Sequence, residues 1–186
     1  MTPVRYHHGD LRRVLLAAAV DAINDAGPAA LSLRDLARRA DVSHAAPAHH
    51  FSDKAGLITA LATEGYDRLA AGLDIAQGDL LELGLAYVRF ALGHPAHFQV
   101  MFAPGLCNPD DPELIAAKRR AFAPLQAAVD ARPAAKSPEA RRRDALAAWS
   151  KAHGFATLWL AGALPPELGT DPETVAREIL SRGLRG

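Results

Sequence analysis

Hydrophobic positions recur along the chain at the three- and four-residue spacing that places side chains on one side of an α-helix. In the first such stretch, residues 10–26, this side carries Leu11, Leu15 and Ala22, and the pattern ends at Gly27-Pro28. The same spacing predicts further helices over residues 32–40, from a Ser43 cap to about residue 51, and over 53–72, 79–93, 95–102, 111–131, 137–164 and 171–184. The chain is therefore expected to be a succession of helices.

Three of the predicted helices begin with the same local chemistry, Asp111-Pro112-Glu113, Ser137-Pro138-Glu139 and Asp171-Pro172-Glu173. In each, a side-chain oxygen caps the exposed amides, and proline takes the first helical position, where no amide donor is needed. The glutamate then faces the positive end of the helix. Ser32 and Ser43 are predicted to cap two shorter helices through their hydroxyl oxygens.

Composition also predicts an all-α fold. The 186 residues include 40 Ala and 25 Leu but only 8 Val, 5 Ile and 6 Thr. Ala and Leu are strong helix formers, whereas β-branched residues favour strands. Hydrophobic residues make up 49% and charged residues 23%, which excludes the class of disordered proteins. The Gly72–Gly78 region is the expected boundary between a small N-terminal unit and a larger C-terminal one.

Charge and cysteine content narrow the function classes. Lys+Arg 21 balances Asp+Glu 21, so any role in DNA binding depends on where the charges lie rather than on their sum. The single Cys107 excludes a disulfide framework and a Cys-rich zinc site. The longest uncharged stretch, Ala152 to Pro166, is too short to span a bilayer, and we expect a cytoplasmic protein.

Residues 32–51, with the sequence SLRDLARRADVSHAAPAHHF, have the layout of a helix-turn-helix. Leu33, Leu36 and Ala37 would pack one side of the first helix, and Val42 would fill the turn. In that motif the second helix enters the major groove, and its first residues meet the base edges. The same pattern also fits an αα-hairpin inside a helical bundle, which would have no role in DNA binding.

Several segments resemble the TetR family of bacterial transcriptional regulators. Two of them, YHHGDLR (Tyr6–Arg12) and LSLRDLARRADVSHAAPAHHFSDKAGL (Leu31–Leu57), keep the register of the family. Ala148–Gly154 is similar to the Trp-His-Gly signature of one C-terminal domain type, and His94–Phe102 resembles its short Pro-led helix. The resemblance implies an N-terminal three-helix DNA-binding unit over residues 1–56, a connecting helix and linker over 57–78, and a C-terminal ligand-binding and dimerisation domain over 79–186.

The resemblance also implies a function: a homodimer that binds operator DNA and releases it when a small molecule enters the C-terminal domain. The expected function is therefore a repressor that is released by a small hydrophobic effector, and no cofactor is expected. Carried over position by position, it implies DNA contacts from Ser32, Arg34, Ser43, His44, Ala45, Ala48, His49 and Lys54. Arg5 would be either an arm that reaches DNA or part of a frayed terminus.

One position departs from the family pattern. The family usually has an aromatic residue where this chain has Ala48, and alanine cannot pack on the sugar-phosphate backbone as an aromatic ring would. Operator binding would then be weakened, or read chiefly by His44 and His49. The alternative function is therefore a small-molecule-binding helical dimer that has lost operator binding.

Aromatic and apolar side chains in the C-terminal helices predict an effector site. Its expected residues are Phe90, His94, Met101, Phe102, Phe122, Trp149 and His153, with Phe98 beside them. Such a pocket would be mostly apolar, with His94 and His153 as polar anchors and a neutral or weakly polar hydrophobic compound as guest. The same side chains would otherwise fill the core, with His153 hydrogen-bonded to a neighbour.

A homodimer through the last two long helices is expected from their apolar surface. No residue from Ala152 to Leu164 is charged, and only one side of such a helix can face the core of its own domain. Phe155 and Trp159 would lie on one side of this helix. The second helix would contribute Val175, Ile179 and Leu180 to the same seam.

Neither a metal site nor an enzyme is expected. The eight histidines are densest at His7-His8, His49-His50 and between His94 and His97, where no Cys or carboxylate completes a ligand set at suitable spacing. The sequence has no Gly-rich phosphate loop, and Cys107 lies in a loop without an obvious base.

Overall fold

The computed structural model describes residues 8–76, 78–103, 105–132 and 137–182. Within these ranges the regular elements are all helices, which confirms the all-α fold class. The α-helices are α1 (His8–Ala26), α2 (Leu33–Arg39), α3 (Ala46–Phe51), α4 (Lys54–Ile75), α5 (Leu80–Gly93), α6 (Pro95–Phe102), α7 (Pro112–Asp130), α8 (Pro138–Leu160) and α9 (Pro172–Ser181). Two short 3₁₀ helices cover Pro28–Ala30 and Pro166–Leu168. Arg5, Tyr6, His7 and Leu184 lie outside the described residues.

The helices form two compact units that are not contiguous in sequence. The first consists of residues 1–65 and 96–114, and the second of residues 66–95 and 115–186. Helix α4 therefore contributes its first half to one unit and its second half to the other. The domain limits expected from the family resemblance remain a prediction.

Each unit has its own apolar core. In the first unit the fully buried side chains include Leu15, Ile23, Leu36, Leu57 and Leu61, which come from α1, α2 and α4. In the second unit α5 packs against α8 and α9. Buried side chains of that core are Leu85, Val88, Val129, Phe155, Val175 and Leu180.

The predicted caps are confirmed for the long helices. The Asp111 carboxylate accepts from the Leu114 amide at 2.9 Å, and the Ser137 hydroxyl accepts from the Ala140 amide at 3.2 Å. The Asp171 carboxylate accepts from the Thr174 amide at 2.9 Å. These contacts join residues three positions apart, which is why local sequence was enough to predict them.

The caps of the two short helices were predicted wrongly. Ser32 precedes α2, but its side chain makes no capping hydrogen bond. Ser43 does not cap α3, because residues 44 and 45 form a turn and the helix begins at Ala46. Pro47 then falls in the first turn of the helix, where a missing amide costs nothing.

Other helix limits also differ from the prediction, among them the ends of α4 and α8. Helix α4 continues through Gly72 to Ile75. Helix α8 ends at Leu160 rather than at residue 164, because Gly162 adopts a left-handed conformation with φ of 61°. The Ala163 amide donates back to the Leu158 carbonyl at 3.0 Å, which closes the helix end. No helix among the described residues is long and apolar enough to cross a lipid bilayer.

Candidate DNA-binding surface and effector site

Helices α2 and α3 pack against each other across a short turn. Asp41 in that turn has a φ of 52°, and the Val42 amide donates to the Ala37 carbonyl at 3.0 Å. Leu36, Ala37 and Phe51 are buried against the first unit, and Val42 is half-buried. This arrangement of two short helices around a tight turn is the geometry of a helix-turn-helix.

The outer face of this motif carries the predicted DNA contacts. Lys54, at the start of α4, is half-buried. The other predicted residues, which are Ser32, Arg34, Ser43, His44, Ala45, Ala48 and His49, are exposed. The polar side chains that would meet DNA are thus on the outside of the motif, and its apolar side chains are in the core.

Several cations near this face already have partners. The Lys54 ammonium donates to the Ala29 carbonyl at 2.8 Å, so a phosphate contact requires it to leave that carbonyl. Arg38 and Arg39 both pair with Asp35, at 2.6 and 2.9 Å, and Arg39 also reaches Asp25 at 2.8 Å. The hydrogen bonds from Arg38 and Arg39 lower the pKa of Asp35. Arg34 is exposed at the start of α2.

A chain of polar contacts links α5 to α8 in the second unit. The Trp149 ring N–H donates to the Tyr87 hydroxyl oxygen at 3.3 Å, and that hydroxyl lies 2.8 Å from Nδ1 of His153. A neutral His153 that accepts from the Tyr87 hydroxyl satisfies both contacts. Burial lowers the pKa of His153 and raises the pKa of Tyr87, so both groups stay neutral at pH 7.

Several of the predicted effector residues contact one another. The Phe122 and Trp149 rings are 5.3 Å apart and nearly perpendicular, and Trp149 lies 5.7 Å from His153. Phe90 and His94 form another ring pair at 5.4 Å. Met101 and Phe102 belong to the first unit, in which Phe98 and Phe102 are 5.2 Å apart.

A groove of about 630 Å³ lies in the second unit between the end of α4 and α7. Its walls include Leu73, Ala127 and Pro124, and none of the predicted effector residues lines it. Pro124 has no amide hydrogen to donate to the Arg120 carbonyl one turn earlier. Sequence analysis did not identify this groove, because it depends on which faces of α4 and α7 meet.

Comparisons with known proteins decide the family. The family model described as "Tetracyclin repressor-like, C-terminal domain" matches residues 80–182, and that of "Bacterial regulatory proteins, tetR family" matches residues 15–61. The chain belongs to the TetR family. It is a TetR-family transcriptional regulator with an N-terminal helix-turn-helix unit and a helical C-terminal domain. Regulators of this family bind operator DNA, form dimers and bind small-molecule effectors.

Solved structures agree with the TetR fold. A protein of unknown function from Rhodococcus sp. RHA1 is 36% identical, with a TM-score of 0.78 over 99% of this chain and 100% of its own. A candidate regulatory protein, SCO4313, is 26% identical, with a TM-score of 0.77 over 96% of this chain and 97% of its own. NalD, the secondary repressor of the MexAB-OprM multidrug efflux pump in Pseudomonas aeruginosa, is 24% identical, with a TM-score of 0.60 over 92% of each chain. The comparison with curated proteins gave no match.

Tyr87 is the residue of this TetR regulator that sequence analysis missed. It is buried on α5, three positions before Phe90, and it supplies the oxygen that joins Trp149 to His153. The helical spacing from Phe90 was a usable signal, since both residues fall on the core side of one predicted helix. The residues next to Tyr87 in the sequence, however, do not indicate that His153 of α8 lies beside its hydroxyl.

The lowered pKa of His153 predicts a pH-dependent stability for this regulator. Below the ordinary value of 6.5 the unfolded chain binds this proton more readily than the folded chain does. We therefore expect the free energy of unfolding to fall as the pH drops from 7.5 to 5.5. In His153→Gln, this fall should be smaller in denaturant titrations at the two pH values. An equal fall in both proteins would assign the pH dependence to other groups.

Proposed function

We propose that this regulator is a cytoplasmic, homodimeric repressor that binds operator DNA and leaves it when a small hydrophobic effector binds. The observation that carries the proposal is the exposed face of the helix-turn-helix, on which α3 presents Ala48 and His49 while Phe51 anchors it to the core. In this proposal α3 enters the major groove, with Ser43 and His44 at its leading end.

Phosphate contacts would hold the motif in place. Ser32 and Arg34 begin α2, and Lys54 begins α4. Exposed amides at helix starts bind phosphate oxygens, and a nearby cation strengthens that contact. These contacts position the motif without reading sequence, so specificity would come from the turn before α3 and from its exposed side.

DNA binding should depend strongly on salt despite the zero net charge of the chain. Each phosphate contact releases counterions, so affinity should fall by orders of magnitude between about 50 and 200 mM salt. Fluorescence anisotropy with DNA that flanks the gene of this protein would measure the fall. Arg34→Gln should reduce the magnitude of the salt slope by about 0.9, which is the contribution of one phosphate contact. Arg143→Gln, on α8, is the matched control and should leave the slope unchanged. A specific complex with no salt slope would contradict the proposed phosphate contacts.

Ala48→Tyr tests which side of α3 meets the backbone. An aromatic ring at this exposed position should tighten binding to many sequences alike, because a backbone contact positions the helix without reading bases. The ratio between flanking DNA and a scrambled duplex should stay unchanged in anisotropy titrations. Tightening for one sequence only would place residue 48 against a base edge.

The effector site is proposed around the cluster of Phe122, Trp149 and His153, completed by Tyr87. Two observations support this proposal: the contacts between the aromatic rings, and the hydrogen bond between the Tyr87 hydroxyl and His153. A polar group of a ligand could take the place of one partner in that hydrogen bond. Phe90 and His94, which belong to the same unit, remain proposed contributors, and the roles of Met101 and Phe102 remain predictions from the sequence. Trp149, His153 and Gly154 also underlie our proposal that the C-terminal domain is of the Trp-His-Gly type.

Trp149→Phe and His153→Gln should weaken the response to effector and leave ligand-free DNA binding nearly intact. Hydrophobic compounds that raise the melting temperature would first be selected, and each would then be tested for release of flanking DNA. An effector releases DNA only if it binds the released conformation more tightly. Trp159→Phe, on the same helix, is the matched control. If the variants lost DNA binding and stability together, the cluster would be core rather than pocket.

The dimer is proposed to form through the outward face of α8. Leu146, Leu158 and Leu160 on α8 are 56%, 47% and 40% exposed, and the last two belong to the uncharged stretch of the helix and lie on either side of its outward half. Gly154 lies on α8 among these residues, and a Cβ added to it would meet nothing within 4 Å in its own protomer. A glycine inside a helix costs about 1 kcal/mol relative to alanine, and close approach of a second α8 is a reason to keep it.

The predicted contribution of α9 to this seam needs correction. Val175 and Leu180 are buried in the core of their own protomer, where Leu180 packs close to Gly84. Helix α9 is further held to α5 by ion pairs of Glu173 with Arg89 at 2.6 Å and of Arg177 with Glu82 at 2.8 Å. Ile179, which is half-buried, is the remaining apolar candidate from α9 for the dimer seam.

The second candidate function is a helical dimer that binds a small molecule without binding an operator. The exposed Ala48 and the pairing of Arg38 and Arg39 with carboxylates favour it, because both reduce contacts to the DNA backbone. A mobility shift with flanking DNA separates the two functions. A retarded band that specific competitor removes supports the repressor, and no band at low salt supports the alternative.

A further inference from the structure

The recognition element has no permanent positive charge. Residues 40–53, which span the turn and α3 and end immediately before Lys54 at the start of α4, contain no Lys or Arg. Their basic side chains are the imidazoles of His44, His49 and His50. His44 and His49 are exposed, whereas His50 is half-buried with its ring 6.3 Å from the Phe51 ring.

Several cations on the elements that pack against α3 are already engaged within the protein. On α2, Arg38 and Arg39 are engaged by carboxylates, while Arg34 is exposed. On α1, the Arg12 guanidinium lies over the Phe51 ring at 5.4 Å. At the start of α4, the Lys54 ammonium is bound to a backbone carbonyl.

The recognition element also carries a carboxylate at each end. Asp41 is exposed in the turn before α3, and Asp53 is exposed after α3. Asp53 accepts from the Gly56 amide at 2.7 Å and so stays near the start of α4. Asp35 and Asp25 are already paired with the α2 arginines. The surface that would face DNA therefore carries carboxylates at its margins and imidazoles at its centre.

We propose that operator binding by this regulator is coupled to proton uptake by His44 and His49. The inference rests on the proposed DNA-binding function and describes how that same site is regulated. A neutral imidazole has one donor, whereas a protonated one has two donors and a positive charge, which suits phosphate oxygens and the acceptor edge of guanine. Imidazole in water takes up its proton near pH 6.5, within the range that a cell can reach.

The coupling has two measurable consequences. First, affinity for DNA should rise at least about tenfold between pH 8 and pH 6, because the complex binds more protons than the free protein. Second, each histidine that becomes charged against a phosphate adds about 0.9 to the magnitude of the salt slope, so this magnitude should grow by up to about two at pH 6. A histidine with a merely structural role would change neither quantity in this manner.

The experiment measures affinity by anisotropy at pH 6, 7 and 8, with one salt series at each pH. The probes are a duplex from the DNA that flanks the gene and a mixed-sequence duplex of the same length. Two double variants and one single variant are compared with the wild type. The double variants are His44→Gln/His49→Gln and His44→Lys/His49→Lys, and the single variant is His50→Gln. Circular dichroism at each pH restricts the comparison to folded protein, since stability is also expected to fall at low pH.

The expected pattern differs for each variant. The glutamine pair should bind weakly at every pH, and the lysine pair should bind at pH 8 as tightly as the wild type does at pH 6. His50→Gln should keep the wild-type pH dependence. If the affinity of the wild type for DNA does not change with pH, or if the glutamine pair keeps the pH dependence, the proposed coupling to proton uptake is wrong. The proposed DNA-binding function is not contradicted by either result. Absence of binding at every pH overturns the proposed function and the coupling with it.

Discussion

Leu158→Glu should convert the regulator into monomers and reduce its affinity for operator DNA at least about 100-fold. A charge at this exposed position of α8 would have to be buried against the partner, which is costly without a counter-ion. An operator with two half-sites is bound by two recognition helices that the dimer holds together. In a monomer the second helix is no longer held near its half-site, so the affinity loses the gain of about 10²–10⁴ that the linkage provides. Sedimentation velocity would give the oligomeric state, and anisotropy the affinity.

Ile75→Glu is the matched control for this change. Ile75, at the end of α4, is 82% exposed, so it offers the same chemical substitution outside α8. It should leave both the dimer and DNA binding unchanged. A Leu158→Glu protein that remained dimeric, or that bound its operator tightly as a monomer, would contradict the proposed seam.

Gly65→Ala should destabilise the regulator by about 1–3 kcal/mol, the usual cost of overpacking a core. A Cβ at this position of α4 would lie 2.6 Å from the Met101 sulfur and 3.2 Å from Cβ of His97, so the Met101 side chain would have to shift within a packed contact. The same substitution at Gly72, in the same helix, meets nothing within 4 Å. Gly72→Ala should therefore stabilise the protein by about 0.5–1 kcal/mol through helix propensity.

Urea titrations of the two alanine variants would measure this difference. A double-mutant cycle with Met101→Ala identifies its origin, because Gly65→Ala should cost much less once the Met101 side chain is removed. Equal effects at residues 65 and 72 would show that α6 does not constrain α4 at this point.

The predictable part of the fold is the part that local chemistry determines. Asp111, Ser137 and Asp171 cap helices that begin at the next residue, so the start signal and the start are adjacent. The start of α3 was missed for the opposite reason: Ser43 was a plausible cap, but the chain makes a turn through residues 44 and 45 before the helix begins. At this point the packing of the helix-turn-helix, rather than the capping propensity of Ser43, determines where α3 begins.

The sites were less predictable, because their contacts join distant residues. Tyr87 and His153 are 66 positions apart, and Lys54 reaches a carbonyl 25 positions earlier. Helical periodicity assigns Trp149 and His153 to the apolar side of one helix, but it cannot say whether a ligand or Tyr87 meets them. The exposure of His49 followed more simply, since the packed side of α3 leaves it on the other side, whereas His44 is exposed in the turn before that helix.

The placement of residues 96–114 in the first unit bears on how such regulators can be recombined. The Asn108 amide donates to the buried Thr59 hydroxyl at 2.8 Å, so this stretch covers the first half of α4 beside the helix-turn-helix. Consider a hybrid that takes its N-terminal part, up to residue 57 or residue 79, from this regulator and the rest from a relative. In such a hybrid the relative's counterpart of residues 96–114 would have to pack against the first half of α4 from this regulator. The portable DNA-reading module is therefore discontinuous, and a working hybrid needs residues 96–114 grafted together with residues 1–65.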